Sequence, residues 1–190
     1  VIFLPFIEAI SKNFDNPISI LVKENSKAIQ FLKDNKAINE IIILDRGNKI
    51  KNGRHDGIIG SYNLVKDLKK HNFDKIFIFN SSLRFNLISK IAGIKDIRQY
   101  PLFDKKNQHI IDTAKDFIKK ELNKDTESNP EIFINNQLIK NSKKNYKINN
   151  EEINILLGIG GSGPTKRIPS KIFINFMKLV TQKRKCRFFL

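Results

Sequence analysis

The sequence contains one cysteine, one methionine and three histidines in 190 residues. A single cysteine, Cys186, cannot form an internal disulfide or a cysteine-cluster metal site, and it fits a reducing compartment. His55, His71 and His109 share no spacing typical of metal ligands, so no metal site is expected. No apolar run approaches the roughly 18 residues that a membrane-spanning helix needs. These shortages argue against an internal disulfide, a metal site and a membrane-spanning helix within the 190 residues.

Acidic residues are also scarce, 19 against 35 lysines and arginines, which gives a formal charge of +16. Such an excess favours an anionic partner, such as a nucleic acid, a phosphosugar or an acidic lipid surface. Frequent isoleucine, lysine and asparagine are also typical of proteins from AT-rich genomes. Because the basic residues occur along the whole chain, we favour this compositional explanation, with some contribution from attraction to a membrane surface.

Hydrophobic residues (40%) and charged residues (28%) are present in the proportions of a globular protein. Apolar β-branched runs alternate with amphipathic segments, which predicts an α/β fold with a mainly parallel sheet. Strands are predicted at 18–22, 41–44, 75–79, 97–100, 131–134, 153–159 and 187–190. Helices are predicted at 5–13, 26–34, 61–71, 82–92, 109–122 and 170–181. Gly93 is expected to end the fourth of these helices.

Two polar segments interrupt this alternation. Residues 47–57 contain three glycines and are predicted to be irregular. Residues 135–150 are rich in asparagine and lysine and are predicted to form a linker, with the cluster around Lys143 exposed to solvent. The sequence therefore predicts a first domain over 1–145 and the start of a second over 146–190. Because the chain begins without methionine and ends on an apolar run, we expect a fragment of a longer protein.

The most informative segment runs from Ile155 to Pro169, where a predicted strand leads through Gly-Ile-Gly-Gly-Ser-Gly-Pro-Thr-Lys-Arg into a helix. Glycines allow backbone N–H groups to approach an anion closely, and a helix N-terminus favours negative charge. Ser162 and Thr165 add hydroxyl groups, and Lys166 adds a full positive charge. A phosphate or diphosphate group is therefore the expected ligand.

Three interpretations of this loop compete. Gly158, Gly160 and Gly163 match the dinucleotide fingerprint G-x-G-x-x-G, but Pro164 and Pro169 delay the helix that should open inside the motif. A Walker A loop requires Gly-Lys-Ser/Thr, which is absent here. The third interpretation assigns the segment no function: it is a glycine-rich surface loop with solvated basic side chains.

A fourth consideration is a family resemblance. The string Gly-Ser-Gly-Pro-Thr-Lys-Arg-Ile-Pro resembles the donor-phosphate loop of the lipopolysaccharide heptosyltransferases, glycosyltransferase family 9, although Ile168 stands where the family usually has tryptophan. The segment Leu4–Ile10 resembles the first helix of that family. The segment Asn80–Ile94 resembles its Ser-x-Arg…Ala-Gly helix. The order and spacing of the three segments fit the family over nearly the whole chain.

The resemblance implies a GT-B architecture of two Rossmann-like domains, the N-terminal one lacking its first strand and the C-terminal one truncated. It implies transfer of a heptose or related sugar from a nucleotide-diphosphate donor, such as an ADP-heptose, to a lipopolysaccharide core or similar lipid-linked glycan. No cofactor, metal or nucleic acid is implied. The expected location is cytoplasmic, including the cytoplasmic face of the inner membrane.

The resemblance also assigns roles to residues. Ser162, Thr165 and Lys166 are expected to bind the donor diphosphate. The general base of the family would precede Val1, so the catalytic residue is unknown and the fragment is expected to be inactive.

Ser81, Ser82 and Arg84 follow a predicted strand, at the edge where open α/β sheets bind ligands, and are candidates for acceptor contacts. Helix capping by the serines and a surface position for Arg84 are the alternative. For the protein as a whole, the alternative function is a non-catalytic phosphate- or nucleic-acid-binding α/β module, which would bind polyanions with steep salt dependence.

Overall fold

The computed structural model describes residues 1–47, 51–101, 108–149, 151–161 and 163–190. Strands and helices alternate along most of this part of the chain, so the predicted α/β class is confirmed. The helices are α1 (Leu4–Phe14), α2 (Ala28–Leu32), α3 (Gly57–Lys69), α4 (Leu83–Ile91), α5 (Ile110–Leu122), α6 (Asn136–Asn145) and α7 (Ser170–Lys183). The strands are β1 (Ile18–Lys23), β2 (Ile38–Leu44), β3 (Lys75–Ile78), β4 (Asp96–Gln99), β5 (Ile153–Leu156) and β6 (Cys186–Phe189).

All strand pairs in the described ranges are parallel, as predicted. β1 pairs with β2, β3 with β4 and β5 with β6, and each pair is a separate two-stranded sheet. Helices α2, α4 and α7 connect the two strands of each pair, since parallel neighbours need a crossover connection. In the described residues, the sheet predicted for the first domain consists of two separate strand pairs, β1–β2 and β3–β4, and β5–β6 forms a third pair.

The chain divides into two compact units, which we call the first unit (Val1–Phe133) and the second unit (Ile134–Leu190). This division precedes α6, whereas the predicted domain boundary at residue 145 follows it. The assignment of these segments to domains stays a prediction.

The first unit contains the buried core. Helices α1 and α5 pack around an aromatic cluster, in which Phe117 contacts the rings of Phe77, Phe79 and Tyr100. On α3, Leu64 and Leu68 recur at i, i+4 spacing and pack with Leu44 of β2. A third cluster joins α1 and α2 to β1. These contacts pack the helices of the first unit against its strands.

The structure corrects two expectations about the middle of the chain. The predicted linker at 135–150 contains α6, which begins after Asn135, whose Oδ1 accepts a hydrogen bond from the Gln137 N–H at 2.8 Å. An asparagine cap of this kind stabilises a helix whose composition alone resembles a loop. The predicted strand at 131–134 is wrong, because these residues pair with no strand and are exposed.

The helix after β3 ends as predicted. Gly93 adopts a φ of +91°, and its N–H donates to the carbonyl oxygen of Lys90 at 3.0 Å. The next N–H, of Ile94, donates to Ser89 at 3.1 Å. Glycine is favoured here because its missing Cβ permits the left-handed conformation that closes the helix.

Candidate functional site

The glycine-rich loop follows β5 directly in the second unit. The Leu157 N–H donates to the carbonyl oxygen of Phe189 at 2.8 Å, after which the chain leaves the sheet. The predicted strand over 153–159 therefore ends earlier, at Leu156. The loop then forms a 3₁₀ turn, Pro164–Lys166, in which the Lys166 N–H donates to Gly163 at 3.0 Å.

Gly161 is the glycine that the loop geometry requires. A Cβ on Gly161 would overlap the carbonyl oxygen of Lys166 and lie 2.9 Å from its carbonyl carbon. A Cβ on Gly158, Gly160 or Gly163 would meet nothing within 4 Å. The loop therefore folds back on itself at Gly161, and the three glycines of the dinucleotide-like pattern are not sterically required.

The side chains at the end of the loop differ in their contacts. Thr165 and Lys166 are exposed to solvent. Arg167 turns back, and its Nε donates to the carbonyl oxygen of Gly161 at 3.3 Å. The hydrogen bond of Arg167 thus stabilises the folded-back loop, while the exposed Lys166 can be reached by an anion. Ser162, the third predicted phosphate-binding residue, lies outside the described residues.

Helix α7 begins immediately after the loop. Pro169 occupies the N-cap position with extended backbone and no side-chain cap, and the first turn contains no acidic residue. The N–H groups of the first turn and the helix dipole therefore favour an anion at this end. Loop, lysine and helix N-terminus adjoin one another in the chain, which is the arrangement expected of a phosphate-binding segment.

A second feature lies in the first unit, where the chain leaves β4. A cavity of about 390 Å³ is lined by Ser81, Tyr100, Gln108, Asp116, Phe117 and Lys120, among others. Burial raises the pKa of Tyr100 to about 12, because desolvation disfavours the phenolate. Its hydroxyl is buried and has no hydrogen-bond partner among the described residues. The sequence signals only Ser81 of this group.

The three residues predicted for acceptor contacts differ in their surroundings. Ser81 lines the cavity. Ser82 takes the N-cap position of α4, but its side chain makes no capping hydrogen bond. Arg84 donates from Nε to the Ser61 hydroxyl at 2.9 Å and from Nη2 to the His55 carbonyl oxygen at 2.6 Å. Arg84 therefore links α4 to α3 and the preceding loop.

A network of charged side chains fixes the end of β2 to the start of α3. His55 is 4% exposed; its Nδ1 accepts a hydrogen bond from the Asp45 N–H at 3.0 Å. That bond leaves the other ring nitrogen, Nε2, to donate to Asp67 at 3.1 Å. Arg54 donates from Nε and Nη2 to the two oxygens of the same carboxylate, at 3.1 and 3.0 Å. His55 therefore helps to hold β2 and α3 together through hydrogen bonds, a role that its sequence context does not signal.

The carboxylates of this network are stabilised in their charged form. Burial raises the pKa of Asp67, but hydrogen bonds from Lys70, His55 and Arg54 outweigh it and hold the pKa well below the usual value. Hydrogen bonds from the Gly53 and Gly47 N–H groups, together with Arg46, lower the pKa of Asp56.

Within the described ranges, no group of three or more His, Cys, Asp or Glu side chains is placed to hold a metal ion. His71 contacts Glu40 at 3.2 Å and stacks on Phe73, while His109 caps α5. Over the same residues, no helix has the length and apolar character needed to cross a membrane.

No protein-family model and no curated protein sequence matches the chain. Among solved structures, the chain is similar to the glycosyl transferase family 9 protein from Veillonella parvula DSM 2008, with a TM-score of 0.74 and 20% identity. It is also similar to the ADP-heptose lps heptosyltransferase II of E. coli, with a TM-score of 0.63 and 14% identity.

The similarity covers 99% of this chain and 57% of the Veillonella chain, and 96% of this chain and 58% of the E. coli chain. This chain therefore spans less than two thirds of the length of either. The resemblance predicted from the loop and helix motifs is confirmed by these structures. The chain has the fold of the corresponding part of a family 9 glycosyltransferase structure.

Proposed function

We propose that the protein to which this sequence belongs transfers a heptose or a related sugar from a nucleotide-diphosphate donor to a lipopolysaccharide core or a similar glycan. The observation that carries the proposal is the agreement of fold over 99% of the chain with a family 9 glycosyltransferase structure. The segment after β5 also supports the proposal, because its glycine-rich loop, the exposed Lys166 and the N-terminus of α7 together suit a phosphate group.

The donor diphosphate is assigned to the second unit. Lys166, with Thr165 and Ser162, would bind it through the loop after β5. As the acceptor hydroxyl oxygen bonds to the anomeric carbon, the bond from that carbon to the diphosphate oxygen breaks and negative charge develops on the diphosphate. A fixed positive charge stabilises that state more than the ground state. Arg167 would act by holding the loop against Gly161.

The acceptor is assigned to the first unit. The cavity beside Ser81 is lined by the largely buried Tyr100 and Phe117 together with hydroxyl, amide and charged groups, and such polar groups suit a polyhydroxylated ring. Ser82 and Arg84 remain candidates for contacts at its edge. Arg84 would have to give up a hydrogen bond to Ser61 or His55 to reach a ligand.

The remaining parts of the proposal follow from the family resemblance. The catalytic base is not assigned to a residue of this chain, and no turnover is proposed for the 190 residues by themselves. The donor is an ADP-type sugar, the acceptor is lipid-linked, and the location is cytoplasmic, including the cytoplasmic face of the inner membrane. Neither cofactor nor nucleic acid is part of the proposed reaction.

A binding experiment on the purified chain tests the proposal. ADP, an ADP-sugar, UDP and a random single-stranded oligonucleotide are titrated separately into isotope-labelled protein, and amide chemical shifts are followed. We expect the ADP compounds to perturb the loop after β5 selectively, with saturation. Stronger binding of the oligonucleotide, falling steeply with salt and without nucleotide preference, would favour the polyanion-binding module instead.

A further inference from the structure

The positive charge of the chain is concentrated in the second unit. Residues 1–133 carry 23 lysines and arginines against 17 aspartates and glutamates, whereas residues 134–190 carry 12 against 2. A genome that favours lysine in all its proteins would explain why lysine is frequent in both units. It does not explain why acidic residues are nearly absent from the second unit. The excess of positive charge in that unit therefore needs another explanation.

Helix α6 carries a dense part of this charge on one side. Lys140, Lys143 and Lys144 recur at i, i+3, i+4 spacing, and the exposed Lys147 follows the end of the helix. Leu138, Ile139 and Tyr146 lie on a different side of the helix and are 49%, 38% and 63% exposed. The segment therefore has separate basic and apolar sides, both reached by solvent.

No residue of α6 is buried. The segment is tied to the rest of its unit at its carboxyl end, where the Arg187 guanidinium donates to the carbonyl oxygens of Tyr146 and Lys147. Arg187 and Lys185 in turn contact Glu152, one of the two acidic residues of the unit. An isolated helix of ten residues is marginal in water. A partner that covers α6 would therefore stabilise it.

We propose that α6 is a docking surface for an anionic lipid bilayer, with its lysines on the phosphate groups of the lipids. Charge complementarity supports this occupant, because phospholipid headgroups attract clustered lysines and accommodate neighbouring Leu and Tyr side chains at the interface. Nucleic acid fits less well, since the row contains no arginine for bidentate phosphate recognition and Tyr146 is the single aromatic residue beside it. The inference deepens the membrane association in the proposed function by assigning it to a surface.

Vesicle flotation with the purified 190-residue chain tests the docking surface. Phosphatidylcholine vesicles are compared with vesicles that also contain phosphatidylglycerol. We expect binding to the anionic vesicles alone, weakened by salt. Each lysine near such a surface contributes about fivefold to the binding constant. The triple variant Lys140→Gln/Lys143→Gln/Lys144→Gln should therefore lose at least about tenfold in binding.

Two matched variants show whether α6 itself is responsible. Lys23→Gln/Lys33→Gln/Lys36→Gln removes the same charge from exposed positions of the first unit and should bind nearly as the unmodified chain does. Replacement of the three α6 lysines by arginine should retain binding. Equal losses in the two glutamine variants, or binding to neutral vesicles, would overturn the proposal.

Preferred binding of α6 to an oligonucleotide in competition with anionic vesicles would also overturn it. The assay requires no nucleotide sugar, so a chain that floats with vesicles but ignores ADP would refute the proposed function and leave the docking surface intact.

Discussion

Lys166 and Arg167 are neighbours in the sequence with different positions in the loop. Arg167 is hydrogen-bonded to the Gly161 carbonyl oxygen, whereas Lys166 is exposed beside the N-terminus of α7. The proposed function gives Lys166 a direct phosphate contact and Arg167 an indirect role through the shape of the loop.

Replacement of Lys166 by alanine should weaken ADP binding by about tenfold or more, since a charge-assisted hydrogen bond to phosphate contributes about 1.5–3 kcal/mol. Calorimetric titration of the chain with ADP provides the measurement. Lys178→Ala, on the exposed surface of α7, is the matched control. The melting temperature should change little in either variant. Comparable affinities of the two variants would mean that the loop is an ordinary surface segment.

Asp67 receives hydrogen bonds from three basic side chains, and its pKa lies below the usual value. Because the folded pKa is the lower one, this carboxylate stabilises the fold above the unfolded value of about 4, and the contribution is lost as the pH falls from there toward the folded value. Asp67→Asn should reduce the free energy of unfolding by about 1–3 kcal/mol at neutral pH.

Urea denaturation at neutral pH and at successively lower pH provides the measurement for Asp67→Asn. The difference from the unmodified chain should shrink below about pH 4, as the carboxylate becomes protonated in both states. Asp125→Asn, in an exposed pair with Lys119, should change stability by less than about 1 kcal/mol. A difference for Asp67→Asn that is independent of pH would contradict this account.

At the scale of elements, the turn between β5 and α7 depends on one close backbone approach. Gly161→Ala would force the backbone around Lys166 to shift, at a cost of about 1–3 kcal/mol, whereas Gly158→Ala enters open space. We therefore expect Gly161→Ala to weaken ADP binding and Gly158→Ala to leave it nearly unchanged. Amide spectra of both variants, with and without ADP, would show whether the change stays local to the loop. Equal effects at both positions would count against the folded-back loop.

At the scale of the whole molecule, the two units differ in burial. All residues of the buried hydrophobic core among the described residues belong to the first unit, whereas no described residue from 134 to 190 is buried. Small units with little buried apolar surface open readily, because few contacts oppose the gain in chain entropy. The second unit is therefore expected to be the less stable part of this chain.

Amide hydrogen exchange should show this difference directly. We expect slow exchange in β2, α3 and α5, where Leu64 and Phe117 are buried, and fast exchange in β5 and α7. Addition of ADP should slow exchange in the second unit if the loop binds it, since ligand binding stabilises the folded state. Uniform protection along the chain would contradict the difference in stability.

The sequence by itself determined the α/β class, the parallel pairing and the positions of most helices and strands, as well as the resemblance that led to the proposed function. These features follow from apolar periodicity and from residues such as Gly93, whose effects act over a few positions. The tertiary structure decided the role of Gly161, the bonds of Arg84 and His55, the cavity beside Ser81 and the helix inside 135–150. In most of these cases the deciding neighbour is distant in sequence, as His55 is from Arg84, so no local pattern can specify it. For α6, the capping hydrogen bond that Asn135 accepts from the Gln137 N–H outweighs a composition typical of loops.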